Sequence, residues 1–333
     1  MIKKQGTKPM GRLLEVDGIK PGEIAYNPAV IVQKNTNKIA QGANIIAARI
    51  ESLNSNWLDP KLYDPHVIFF TQKDDVLTPI PDTPVFHKFE DPWATWLSDP
   101  NGTLQLLFGG VKVDFKEKMP IITTQFFLAP SVQELDIDNP IAVIRNMKDI
   151  RVAELQTRKI AVFTRPMTGE AFPGRIGFTV IDNINDIEDC VINAKLLPLS
   201  LDKNARIGTN EAFAIKKIDS SGTMQELIHV FCHVATTDSI KKEGNEFFDF
   251  DRGIIHYAGY QFEFNPDNPY DDIITLHKIA ERSDFPINNK SSKGERYTDV
   301  IFPGGTGGAK ETNYFAGVED ARIGVIDLKT TMF

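Results

Sequence analysis

Apolar runs of strand-forming composition recur along the chain, each entered through polar residues. Residues 147–166 show the pattern plainly. A charged cluster (Lys148, Asp149, Arg151) opens a strand, residues 156–159 turn, and a β-rich return over 160–164 ends on Arg165-Pro166. The charged ends of the two strands therefore fall side by side. The same plan recurs with 26–30 before 44–49, 90–94 before 104–110, 209–213 before 227–233, and 298–302 before 314–320. A third apolar run follows each pair, at 66–70, 121–127, 174–181, 254–260 and 322–328.

The polar openers Asn27, Asp91, Asp149, Glu211 and Asp299 stand 64, 58, 62 and 88 residues apart, and an insertion within 238–272 accounts for the long last interval. Units of about sixty residues holding several sequential strands are the signature of a β-propeller. The pattern therefore predicts an all-β, five-bladed β-propeller forming a single domain. Its blades run over about 20–84, 86–140, 141–201, 205–265 and 271–333, and the N-terminal segment closes the ring. An outer turn or short helix is expected at 183–195.

Composition adjusts this picture at a few points. A length of 333 residues would ordinarily suggest more than one domain, but propeller blades share one ring-shaped core. The 41% hydrophobic content supports such a core, and 22 Phe suit packing between sheets. A net charge of −8, with Lys and Arg no denser than pairs such as Lys3-Lys4, argues against nucleic acid as a partner. No apolar stretch approaches the length of a membrane span and the N-terminus has no apolar run, so no membrane partner and a cytoplasmic location are expected. Oligomeric state is not legible. Cys190 and Cys232 form no CxxC and read as buried, reduced thiols. His66, His87, His229, His256 and His277 lack metal-ligand spacing, so no metal is expected. Gly304, Gly305, Gly307 and Gly308 flank Thr306 without a following GK[ST], which reads as a wide turn rather than a phosphate loop. The polar segment 282–297 reads either as a lid or as a surface loop.

In a propeller the polar openers and the second-strand ends converge on one funnel. Asn27, Glu90, Asp91, Asp149, Glu211 and Asp320 would meet Arg49, Lys148, Arg151, Arg165 and His233 there. Asn210 and Glu319, beside Glu211 and Asp320, join the substrate-binding set. Crowded carboxylates raise one another's pKa and neighbouring cations lower it, an arrangement suited to acid–base chemistry on a sugar. Cleaving a glycosidic bond needs one protonated carboxyl for the leaving oxygen. Its second participant is either another carboxylate, with Asp91 and Glu211 the candidate pair, or an external phosphate held by cations. Tyr26, Trp93, Trp96 and Phe213 lie near the openers, either stacking on a sugar ring or packing in the core.

Several stretches carry a family resemblance: 89–93 (FEDPW), 107–111 (LFGGV), 147–151 (MKDIR), 162–166 (VFTRP), 208–211 (GTNE), 299–305 (DVIFPGG) and 317–320 (GVED). In order, and over nearly the whole chain, they resemble the domain of unknown function 1861 family, regarded as a five-bladed propeller relative of glycosidases. More remotely the chain resembles the mannoside phosphorylases of glycoside hydrolase family 130. That likeness implies an enzyme cleaving a glycosidic bond of a soluble oligosaccharide with inversion. Phosphate or water would be the acceptor, and no cofactor is implied beyond inorganic phosphate as co-substrate. It implies Asp91 as general acid, Lys148 and Arg165 as phosphate-binding cations, and Asp320 on the nonreducing-end sugar. His233 would match a Tyr-His strand end in which Cys232 replaces the Tyr. Trp93 stands where that family's E-D-P-R motif has Arg, and Arg151 is a candidate substitute. Two alternatives stay open. One is a non-catalytic sugar-binding propeller; the other is a furanosidase-type hydrolase using Asp149 and Glu211, whose first blade would then open on Asn27 rather than a carboxylate.

Overall fold

The computed structural model describes residues 11–32, 44–56, 59–116, 119–166, 174–202, 205–218, 221–237, 255–286, 298–307 and 312–328. These residues are nearly all β. Two short strands, β1 (Arg12–Leu13) and β2 (Glu15–Val16), precede an antiparallel meander of β3 (Glu23–Val32), β4 (Asn44–Ser52), β5 (His66–Lys73) and β6 (Val76–Pro79). After β7 (Phe86–His87) comes a second meander, β8 (Phe89–Ser98), β9 (Leu104–Lys116), β10 (Met119–Ala129) and β11 (Ala142–Arg145). The third comprises β12 (Arg151–Glu154), β13 (Ile160–Thr164), β14 (Gly177–Ile181) and β15 (Lys195–Leu196). The expected outer helical turn appears before β15 as α1 (Ile187–Cys190) flanked by 3-10 turns at Ile184–Asp186 and Val191–Asn193.

The fourth meander is β16 (Arg206–Ile218), β17 (Met224–Thr237), β18 (Ile255–Phe264) and β19 (His277–Ala280). The last is β20 (Asp299–Gly305), β21 (Asn313–Val318) and β22 (Arg322–Asp327), flanked by β1, which pairs antiparallel with β22. A short parallel pairing, His256 with Asp299 and Tyr257 with Val300, joins the fourth and fifth meanders. Hydrogen bonding therefore makes four separate sheets of the five meanders.

The cores lie between successive meanders, each strand having an apolar face to bury. Phe69, Phe86, Phe89, Phe108 and Phe127 interlock the first meander with the second, with Phe69–Phe108 and Phe86–Phe108 ring centroids 5.2 and 4.9 Å apart. Similar clusters join the second to the third, the third to the fourth, the fourth to the fifth and the fifth to the first. The leading strands lie against one another in the order β3, β8, β12, β16, β20 and back to β3. Approach at the last contact is close: a Cβ on Gly304 would lie 2.3 Å from the carbonyl oxygen of Pro28.

Four of the five leading strands are interrupted by a bulge. β3 bulges between Tyr26 and Ala29, β8 between Glu90 and Trp93, β16 between Thr209 and Glu211, and β20 between Pro303 and Gly305. Asn27, Asp91 and Asp149 adopt left-handed backbone (φ 47°, 51° and 52°). A bulge of this kind re-aims a side chain out of the strand's alternation. Short polar residues tolerate left-handed backbone best, because their side chains can bond locally.

Candidate functional site

The bulges turn Asn27 and Asp91 toward a funnel of about 530 Å³. Lining it with them are Arg49, Glu51, Tyr63, Glu90, Lys148, Tyr257, Phe302 and Asp320. Arg49 comes from the second strand of the first meander, directly opposite Tyr26. Its guanidinium contacts Glu51 at 2.7 Å and Glu90 at 2.8 Å, and lies 3.8 Å from Asp91. Lys148 donates to the other Glu90 oxygen at 2.5 Å, and the Tyr63 hydroxyl donates to Glu90 at 2.7 Å. Tyr26 donates to Glu51.

These contacts decide the charge on Glu90. Burial alone would raise its pKa, but Lys148, then Arg49, overcome that and hold it down at about 2. Glu90 is therefore a fixed anion. Asp91 is held more loosely: the Asn27 amide donates to it at 2.9 Å, and the Arg49 guanidinium lies 3.8 Å away.

A second, fully buried cluster surrounds Asp149. Arg165 pairs with its carboxylate, Arg151 lies 3.9 Å away, and His233 Nε2 lies 3.7 Å away. His233 Nδ1 is 2.9 Å from Asn210 Oδ1 and donates there in the neutral ring. Burial, and then the charges of Arg165, Arg206 and Arg151, hold His233 well below the ordinary histidine range, so it stays neutral near pH 7. Gly208 is a necessity here, because a Cβ would lie 2.3 Å from Asp149 Oδ2 and 2.6 Å from the His233 ring. Burial lowers the Arg151 and Arg165 guanidinium pKa to about 9 and about 10, and in both the negative charge of Asp91 opposes the drop. The two clusters thus share one electrostatic environment.

Glu211 falls elsewhere. The bulged residue of β16 is Asn210, so Glu211, one position on, accepts hydrogen bonds from the backbone N–H groups of Thr306 (2.6 Å) and Gly307 (2.8 Å). Burial raises its pKa while these donors oppose the rise. It lines a separate cavity of about 90 Å³ together with Trp93, Trp96, Arg151, Asn210 and Phe213. The expected Asp91–Glu211 pair is thereby divided between two cavities, Asp91 lining the funnel and Glu211 the smaller one. The opener of the last unit is corrected too: β20 bulges at Gly304, whereas Asp299 begins that strand and binds His256 at 2.5 Å.

Glu319 takes both Nε and Nη2 of buried Arg282, at 2.9 and 2.6 Å, and is structural rather than funnel-facing; its neighbour Asp320 lines the funnel. Arg282 also donates to the carbonyls of Phe285 and Pro286, while residues 287–297 of the segment read as a lid or a surface loop lie outside the described residues. Arg151, the candidate replacement for the missing motif arginine, is spoken for. Its guanidinium lies 5.5 Å over the Trp93 ring and donates to the carbonyls of Asn210 and Ile150. Cys232 is buried but Cys190 only half so, which amends the expectation of two buried thiols. Among the described residues, no group of three or more His, Cys, Asp or Glu could hold a metal ion, and no helix is long and apolar enough to cross a membrane.

The sequence reading missed Glu51, Tyr63, Tyr257 and Phe302. Glu51 was within reach, since it shares a strand face with Arg49 two residues earlier. Tyr63 sits in a loop that carries no periodic signal.

The fold is shared with solved sugar-enzyme structures. A mannose phosphorylase from Leishmania mexicana, in complex with phosphate ion, superposes with a TM-score of 0.72 at 23% identity, covering 98% of this chain and 91% of that one. A GDP-Man-dependent mannosyltransferase from the same organism gives 0.71 at 22% identity, covering 97% and 89%. A hypothetical protein from Leishmania major gives 0.68 at 22% identity, covering 97% and 90%. No curated protein matches the chain. The family described as Protein of unknown function (DUF1861) matches residues 6–332, and the chain belongs to it.

Proposed function

We propose that this chain is a five-bladed propeller whose funnel exchanges a glycosyl group between a saccharide and inorganic phosphate, with inversion. The observation that carries the reading is the state of the carboxylates. Glu51 and Glu90 in the funnel and Asp149 in the buried cluster beside it are each clamped by a cation and Asp320 is assigned to the sugar, whereas Asp91 is held mainly by the Asn27 amide. Inverting hydrolysis needs a second carboxylate to activate water. Phosphate is already a nucleophile and needs only cations to hold it, so a funnel with one loosely held acid suits phosphorolysis.

In the proposed step, protonated Asp91 gives its proton to the glycosidic oxygen as the bond from that oxygen to the anomeric carbon breaks. A phosphate oxygen attacks the anomeric carbon from the opposite face, forming the sugar 1-phosphate and leaving Asp91 ionised. Lys148 turns from Glu90 to the phosphate, and Arg165 adds positive potential from beneath through its place beside Asp149. Asp320 holds the nonreducing-end sugar. The mannose phosphorylase and mannosyltransferase of the same fold support a mannoside as the first substrate to try.

The test is incubation with manno-oligosaccharides with and without phosphate. Sugar 1-phosphate should form only with phosphate, and Asp91→Asn should lower the rate by roughly 10²–10⁴-fold with saccharide binding retained. Release of free sugar at a rate indifferent to phosphate, or full activity in Asp91→Asn, would refute the reading.

A further inference from the structure

The hairpin of β9 and β10 outruns its neighbours. β8 pairs with β9 only as far as Lys112, and β11 pairs with β10 only from Thr123. One further hydrogen bond continues each flank, Val113 N–H to the Lys88 carbonyl and Asn146 N–H to the Ile122 carbonyl, and past these the ribbon runs on as a two-stranded arm, with Val113 opposite Ile122 at its base and Phe115 opposite Pro120 above. Residues directly opposed in an antiparallel pair share a face, as do residues two apart. Val113, Phe115, Pro120 and Ile122 therefore make one apolar face, and Asp114, Lys116, Met119 and Ile121 the other.

The first face is turned inward. Val113, Pro120 and Ile122 line the funnel, while Phe115 meets the Tyr63 ring edge-on at 5.6 Å. Tyr63 in turn donates to Glu90, which ties the arm to the charged floor. Met119 and Ile121, on the outer face, are exposed. The funnel thus has an ionic floor with an aliphatic side wall at the arm, Leu53 and Val300 adding single apolar contacts, and Asp320, Tyr257 and Phe302 come from the fourth and fifth meanders rather than from the arm's own.

We propose that this arm is the specificity wall for the leaving-group sugar, packing on the C–H face of the residue beyond the scissile bond. The inference rests on the reading of Asp320 as the nonreducing-end contact, which leaves the arm's side of Asp91 for the departing residue. A pyranose has a ring of hydroxyls and two C–H-rich faces, and an aliphatic wall satisfies one face without unpairing the hydroxyls.

The test compares wild type with Ile122→Ser, Ile122→Val and the outer-face change Ile121→Ser. Calorimetric binding of mannobiose should weaken about tenfold in Ile122→Ser, the ratio set by ~1.4 kcal/mol of lost apolar contact. Mannose binding should stay within about twofold, Ile122→Val should restore mannobiose binding, and Ile121→Ser should match wild type. Equal weakening for mannose and mannobiose, or unchanged mannobiose binding in Ile122→Ser, overturns the proposal, as does a wild type that binds neither sugar. Binding needs no turnover. Wild-type protein that discriminates as expected but forms no sugar 1-phosphate would refute phosphorolysis and uphold the arm.

Discussion

Replacing Glu90 by glutamine tests whether the funnel floor is held by charge rather than by shape. The change keeps the side chain's size and its capacity to accept from Tyr63, but removes the anion that Lys148 and Arg49 share. An ordinary glutamate pKa of 4.5 lowered to about 2 corresponds to roughly 3 kcal/mol in favour of the ionised folded form. Because the folded pKa is depressed, that stabilisation is present above pH 4.5 and is lost as pH falls through about 2. At pH 3 roughly half of it would remain. For a chain of this length the deficit in Glu90→Gln at pH 7 corresponds to a fall in Tm of about 4 °C. Thermal unfolding followed by circular dichroism at pH 7 and pH 3 measures both quantities. The gap between variant and wild type should shrink by about half at the lower pH. A variant as stable as wild type at pH 7, or a gap independent of pH, would refute the electrostatic account.

Two further substitutions probe neighbouring parts. Gly208→Ala drives a methyl into Asp149 and His233, so it should cost about 1–3 kcal/mol in denaturant unfolding and reduce phosphorolysis more than tenfold by prying Asp149 from Arg165. Glu319→Ala strands the buried Arg282 guanidinium and should cost about 3–5 kcal/mol, with Glu319→Gln closer to wild type because it still accepts from Arg282; equal losses in the two variants would contradict the pairing.

Much of the leading-strand pattern could be read from spacing, because polar-then-apolar pairs at near-constant intervals leave few other topologies. Asn27 and Asp91 were legible for a further reason: each precedes a proline, and polar-Pro steps interrupt strands. Glu211 was misplaced because one extra residue in a strand reverses every side chain after it, and nothing in Thr209-Asn210-Glu211 announces which residue is extra. Asp299 was misplaced for a like reason, the glycines that carry the β20 bulge offering no side chain to align. The clamping of Glu90 was invisible, since Arg49, Tyr63 and Lys148 reach it from three loops or strands far apart in sequence.

The left-handed backbone at Asn27 and Asp91 in the funnel, and at Asp149 in the buried cluster beside it, narrows what evolution can place there. Such a kink admits an asparagine, an aspartate or a glycine at small cost, but a β-branched or bulky replacement would strain the main chain before it altered any reaction. Relatives sharing these kinks should therefore diversify their sugars by changing the arms and second strands around the mouth, while the vocabulary of the innermost positions stays confined to short acids and their amides.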